Sequence, residues 1–251
     1  MQPQYKHTMQ ELDIKGTVLL APEGINGTVS ALPQNMQRFI DILKADIRLQ
    51  DMPIKLHDFR KHAFERTKVK LREEIIDIGV KADPLEISGS YVEPKDWNNL
   101  ISRDDVVLID TRNDYEYNFG HFKNAIDPTT KKFHEIKKYV DDNKVEWQDK
   151  KIAMYCTGGV RCEKFSNYMI KEGFDQVYHL KGGILKYLEE VPQQDSTWQG
   201  ECYVFDERVT VDHNLQASPE KAICGNCKSN LFTKDRIHPD YIPNKQCPYC
   251  A

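Results

Sequence analysis

Hydrophobic and polar positions divide the chain into three stretches of different rhythm. In the first, Thr8 to Ile14 has helical spacing, and Thr17-Val18-Leu19-Leu20 is a short apolar run of strand type. Gly27-Thr28-Val29-Ser30 is its hairpin partner across the turn-forming Ala21 to Asn26. Met36, Phe39, Ile40 and Leu43 then recur at i, i+3, i+4 and i+7 behind Pro33, which makes one apolar face of a helix. Ile54 to Phe59 reads as the next strand. Lys68, Lys70 and Arg72 alternate with Val69 and Leu71, so a strand there has one basic and one apolar face.

Asp83-Pro84 and Glu93-Pro94 punctuate a linker into the second stretch, roughly residues 90–192. Val106 to Ile109 is a continuous apolar run of the kind buried in a parallel sheet. Lys151 to Tyr155 and Gln176 to His179 are further strands, alternating with helices at Phe133 to Val140, Arg161 to Lys171 and Ile184 to Glu190. This βαβα rhythm predicts an α/β domain with a doubly wound parallel sheet and a ligand crevice at the carboxyl ends of its strands. Cys156-Thr157-Gly158-Gly159-Val160-Arg161 falls at such an end. It opens a helix in which Cys162, Phe165 and Met169 lie at i, i+3 and i+7 before Gly173 stops it. Two adjacent glycines let successive N–H groups turn inward, and the helix N-terminus adds positive potential. A thiolate at Cys156, with Arg161 at the loop's end, is therefore expected to have a depressed pKa and to act as a nucleophile. The plainer reading is a buried cysteine beside a glycine turn. Cys162, on the apolar face, is expected to pack, with a resolving thiol as the alternative.

The third stretch, residues 200–251, begins with Tyr203 to Arg208, read as extended, and ends in Cys224-x-x-Cys227 and Cys247-x-x-Cys250, nineteen residues apart. Two such knuckles can place four thiolates tetrahedrally around a structural zinc; an unmetallated or partly oxidised tail is the alternative. Seven cysteines, four of them in these pairs, argue against a disulfide framework and for a reducing compartment.

Composition adds a limit and a contrast. The net charge of −4, the absence of a membrane-length apolar run and the lack of a signal-peptide core at the N-terminus point to a soluble cytoplasmic protein without a membrane role. Within residues 55–72, however, seven basic residues face Asp58 and Glu65, so this segment is +5 and the remainder −9. A focused basic segment containing Arg66, Lys68, Lys70 and Arg72 suggests a polyanion partner, against the plainer reading of a solvated sheet face. There is no flavin signature, dinucleotide-binding GxGxxG or facial metal triad.

The α-β-β-α-β order of residues 1–82 resembles a ferredoxin-like unit lacking its first, central strand, so either the chain starts late or another segment fills that place. The Cys156 loop resembles the active-site loop of rhodanese-type domains. Asp110-Thr111-Arg112 through Glu116, Gly120-His121-Phe122 and Asn124-Ala125-Ile126 look like that family's upstream signature, and Leu180-Lys181-Gly182-Gly183-Ile184 like its closing turn. In that family a six-residue loop suits sulfur chemistry and a seven-residue one phosphatases; Cys156 to Arg161 gives six. Arg112 and Glu116, four apart, are expected to form an ion pair supporting the crevice beside Asp110, with His121 structural. The flanks narrow the resemblance further. Gly16 to Ser30, the basic segment from Arg66 to Gly79, Met154 to Lys164 and Phe205-Asp206-Glu207-Arg208 together look like the bacterial rhodanese-containing tRNA uridine hydroxylases. That resemblance implies oxygen-dependent formation of 5-hydroxyuridine at the wobble position of a tRNA anticodon loop. Cys156 and Arg161 would be its catalytic residues, molecular oxygen its co-substrate, and Arg66 to Arg72 its phosphate contacts. A sulfurtransferase carrying a persulfide on Cys156, or a binding module that keeps the loop as a relic, stands as the alternative.

Overall fold

The computed structural model describes residues 2–57, 62–218, 222–227, 229–243 and 245–251. The chain divides into two compact units, Met1–Ile75 with Phe205–Glu207, and Ile76–Val204 with Arg208–Ala251.

In the first unit, helix α1 (Gln2–Glu11) starts earlier than its spacing suggests and ends where Asp13 turns into the left-handed region at φ 47°. That turn redirects the chain so that Ile14, expected to close the helix, leads into strand β1 (Lys15–Ala21). Strand β2 (Gly24–Ser30) pairs antiparallel with β1 through Ala21↔Gly24, leaving only Pro22-Glu23 at the turn. Helix α2 (Pro33–Lys44) buries Phe39 and Leu43 against Tyr5, Met9, Leu12, Val18 and Val69, and Ile40 is buried as well. Strand β3 (Thr67–Leu71) lies parallel to the other edge of β1, giving the order β2-β1-β3. The central place that a ferredoxin-like unit gives its first strand is thus held by β1. Ile54 to His57 forms no strand: Leu56 is exposed and Ile54 only half-buried, so its alternation buries no apolar face; Asp58 and Phe59, the end of that expected element, and Arg60 and Lys61 lie outside the described residues. On β3 Val69 faces the core and Lys68 and Lys70 are exposed, but Leu71 is 61% exposed, so the apolar face is a single residue.

The second unit is an α/β domain. Strands β4 (Ser90–Val92), β5 (Val106–Asp110), β7 (Lys151–Tyr155) and β8 (Val177–Leu180) form one parallel sheet in the order β4-β8-β7-β5; β6 (Gly120–Phe122) lies outside it. Successive residues of β7 serve opposite faces. Ile152 and Met154 pack with α5 (Ile136–Trp147) and α6 (Val160–Lys171), while Ala153 and Tyr155 pack with α3 (Pro94–Ile101) and α7 (Gly183–Glu190). The sheet is therefore doubly wound. The expected linker is tied down: Ile78 and Ala82 are buried in the α5–α6 core, and the Asn167 amide donates to the carbonyls of Asp83 and Ile87 at 2.7 and 2.8 Å. Strand β9 (Trp198–Gly200) pairs with β6. Of the segment expected to be extended, Tyr203 to Arg208, only Tyr203 is strand, as the end of β10 (Cys202–Tyr203), which pairs with β11 (Thr210–Val211). Val204 N–H reaches back to the Val209 carbonyl at 2.9 Å, which closes Phe205 to Arg208 into a loop. Among the described residues no helix is long and apolar enough to cross a membrane.

Candidate active site

Cys156 follows the last residue of β7, a central strand, and α6 begins at Val160, so the thiol sits at the carboxyl end of the sheet and at a helix N-terminus. Gly159 caps α6 with φ 99°, a left-handed conformation that turns its N–H onto the Cys156 sulfur at 3.1 Å. The backbone N–H groups of Arg161 and Cys162 also reach that sulfur. Burial alone would push the thiol up; a hydrogen bond from the Cys162 thiol, the charge of Arg161 and these N–H groups together bring it down to about 5. Thr157 and Gly159 are buried and Val160 half-buried, while Gly158 is exposed and has open space on its Cβ side, so it marks the opening of the cradle.

The ion pairs are not those read from the sequence. Arg112 does not bind Glu116. It lies fully buried against Asp110, with Nη2–Oδ2 at 2.6 Å and Nε–Oδ1 at 2.9 Å, and Nη2 donates to the Gly120 carbonyl at 2.6 Å. Its guanidinium also stands 5.2 Å from the Trp198 ring centroid. Glu116 instead takes both prongs of the Arg161 guanidinium, at 2.8 and 2.8 Å. The four-residue spacing misleads because the helix at this point, α4 (Asp114–Tyr117), starts after Arg112, so the two positions do not share a helical face. Burial pushes the Glu116 carboxyl up, but Arg161 holds it below its usual range. Arg161 thus directs its fork at Glu116 and acts on Cys156 through charge. His121 stacks on Tyr117 at 4.1 Å and its Nδ1 lies 3.3 Å from the Tyr117 carbonyl, a structural setting.

Three neighbours were not singled out as site residues. Gly183, at φ 68°, packs so closely beneath the loop that an added Cβ would lie 2.5 Å from the Cys156 carbonyl oxygen and 2.7 Å from that of Thr157. Ile184 and Leu185 N–H groups hold those carbonyls at 3.0 and 3.2 Å. The Gly182-Gly183 doublet was the signal. Glu163, in the first turn of α6, has its carboxyl pushed up by burial while the Tyr91 hydroxyl bonds to it. Cys162, read as a packing residue with a resolving thiol as the alternative, is wholly buried and hydrogen-bonded to Cys156.

Cys224, Cys227, Cys247 and Cys250 come together with all four sulfurs within 4.8 Å of one another. Neighbouring sulfurs are 3.6, 3.7 and 3.8 Å apart. A tetrahedron of zinc–thiolate bonds of about 2.3 Å requires sulfurs about 3.8 Å apart, so the donor set fits zinc. Four protein ligands close such a site, which gives the ion a structural part: it would tie β12 (Ala222–Ile223) and β13 (Asn230–Leu231) to the last residues. Arg66, Lys68, Lys70 and Arg72 belong to the first unit and are exposed.

A parallel doubly wound sheet with a cradled cysteine after a central strand defines a rhodanese-type domain, and residues 93–190 match the rhodanese-like domain family. Residues 1–75 match the UPF0176 acylphosphatase like domain, and the two in this order give the architecture of the UPF0176 family. Solved structures similar to the chain include a protein of unknown function, possible tyrosine phosphatase, from Rhodopseudomonas palustris, 22% identical over 40% of this chain and 80% of that one, with a TM-score of 0.34. A rhodanese-related protein from Thermoplasma volcanium is 23% identical over 41% and 93%, with a TM-score of 0.33. The rhodanese-like domain of an Anabaena protein is 19% identical over 44% and 78%, with a TM-score of 0.36. The rhodanese-like domain supports cysteine-based chemistry of the sulfurtransferase or a related kind.

Proposed function

We propose that this protein is a cytoplasmic tRNA-modifying enzyme that hydroxylates C5 of the wobble uridine with molecular oxygen, Cys156 serving as the nucleophile. The observation that carries this reading is the Cys156 thiolate, held near neutral pH in three N–H groups beside an opening at Gly158. The pairing of the rhodanese-like domain with the UPF0176 domain in one chain adds to it. C6 of uracil is electrophilic. Addition of the thiolate there places an electron pair at C5, where oxygen attacks, and the loop N–H groups can hold the sulfur whenever it is anionic. One oxygen atom stays on C5; the other leaves as water and takes up two electrons and two protons from a thiol reductant. An anticodon loop supplies the uridine unpaired, so turning it into a pocket costs only a few kcal/mol. Arg66, Lys68, Lys70 and Arg72 are exposed cations suited to its phosphates.

The six-residue loop favours a second reading, in which Cys156 carries a persulfide in the same cradle and transfers sulfur. Mass spectrometry of the wobble uridine from cells with the native chain, with Cys156→Ser and with none separates the two. The expected result is one extra oxygen on the base only with the native chain. Unchanged hydroxylation by Cys156→Ser would sink the mechanism, and a cysteine-dependent sulfur on the base would establish the second reading.

A further inference from the structure

The reaction proposed above needs two electrons, and a second thiol stands beside the first. Cys162 is the third residue of α6 and is wholly buried. Its sulfur lies 3.3 Å from the Thr111 hydroxyl oxygen, whose own hydrogen goes to the Tyr155 carbonyl at 2.9 Å. On its other side the Cys162 thiol hydrogen-bonds the Cys156 sulfur. Packing alone does not require this: an apolar side chain of the same size would serve the α6 core, whereas a thiol here supplies a hydrogen bond to the reacting sulfur. The two cysteines also behave oppositely. Burial first, and the Cys156 charge second, hold Cys162 well above the usual thiol range, so the pair has one thiolate and one reduced, protonated thiol.

We infer that Cys162 is the internal reductant of the hydroxylation, cleaving the oxygen–oxygen bond at C5 and ending in a disulfide with Cys156. This inference rests on the hydroxylase reading. The Cys156 sulfur bonds to C6, and the electron pair at C5 takes up O2 and then a proton to give a C5 hydroperoxide. The Cys162 sulfur attacks the distal oxygen; the oxygen–oxygen bond breaks, C5 keeps a hydroxyl, and Cys162 becomes a sulfenic acid. Loss of the C5 proton and rupture of the C6–sulfur bond restore the ring double bond and free the Cys156 thiolate. That thiolate attacks the Cys162 sulfur and displaces water. Uridine, O2 and two thiols thereby give 5-hydroxyuridine, water and one disulfide. A disulfide needs its sulfurs about 2.05 Å apart, so the loop must shift as the bond forms, and Gly158, whose Cβ position meets nothing within 4 Å, leaves room for that. An external dithiol resets the pair by exchange.

The test is a single turnover with fully reduced protein, freed of small thiols, in air-saturated buffer with excess unmodified tRNA anticodon stem-loop. The expected yield is one 5-hydroxyuridine per chain, matched one to one by a Cys156–Cys162 disulfide in the digested protein; further product appears only when dithiothreitol is added. Cys162→Ser keeps a hydroxyl donor toward the Cys156 sulfur and so should keep fast alkylation at Cys156, which shows that the loop is intact, yet give at least tenfold less product in the absence of added thiol. Product from the native chain without that disulfide, or full yield from Cys162→Ser without added thiol, overturns the role of Cys162 while leaving the hydroxylase reading in place. No oxygenated base with or without dithiothreitol overturns both.

Discussion

At Cys156 the balance of forces fixes a measurable property. An ordinary thiol has a pKa of about 8.5 and is only about 3% ionised at pH 7. Cys156 is brought down to about 5, so it is almost wholly thiolate there. Its alkylation by iodoacetamide should rise with pH through about 5 and level off by pH 7, while Cys162, buried and held protonated, reacts far more slowly. Mass mapping of labelled peptides against pH checks this; a Cys156 rate still rising tenfold per unit at pH 8 would mean that the cradle does not hold the anion. The same shift enters stability. Between about 5 and the ordinary thiol range the unfolded chain binds a proton that folded Cys156 has lost, so stability from this group grows as pH rises and is lost as pH falls through about 5. Cys156, its glycines and Arg161 were legible as residues because loop chemistry is local. The partners were not. Sequence spacing gave Arg112 to Glu116, whereas the fold gives Arg112 to Asp110 and Glu116 to Arg161, pairs set by where two loops meet.

Elements position this loop as much as its own residues do. The turn before α7 presses Gly183 against the carbonyls of Cys156 and Thr157, at a distance no side chain can share. Gly183→Ala adds both a clash with backbone and a strained φ, and should cost about 2–4 kcal/mol while raising the Cys156 pKa toward the ordinary range. Gly173→Ala is the control. Gly173 has φ 90° but an added Cβ there meets nothing within 4 Å, so it should cost only about 1–2 kcal/mol and leave Cys156 unchanged. Thermal unfolding and the alkylation profile read the two effects separately; equal Cys156 profiles in both variants would show that Gly183 serves the fold alone. Strands β5, β7 and β8 and helices α6 and α7 were readable because each is continuously apolar or periodic; α5 was placed at Phe133 to Val140, seven residues short of its end at Trp147, and β4 and α3 were not read at all. Short pieces were not readable. Phe205 to Arg208, read as extended, loops back through Val204 and Val209, and Ile54 to His57 forms no strand because its alternation buries no apolar face, Leu56 being exposed and Ile54 only half-buried.

Over the whole molecule, charge is distributed against its average. The sequence totals −4, yet residues 55–72 hold seven basic side chains against two acidic ones, and Lys68, Lys70 and Arg72 are exposed. Lysines on a strand that also spends Val69 on the core contribute little to stability as exposed charges, so their reversal tests binding rather than folding. Lys68→Glu, Lys70→Glu and Arg72→Glu together should leave thermal unfolding within about 1 kcal/mol of the native chain and Cys156 alkylation unaltered. Affinity for a tRNA anticodon stem-loop should fall steeply at low salt. If each cation meets one phosphate, the slope of log affinity against log salt should flatten by about 2 to 3, at about 0.7 to 0.9 for each phosphate no longer neutralised. A triple reversal with native affinity and native salt slope would assign the basic segment to solvent and require the polyanion to be held elsewhere. Weaker affinity with an unchanged slope would point to an interaction other than with phosphate, since only release of counterions ties binding to salt in this way.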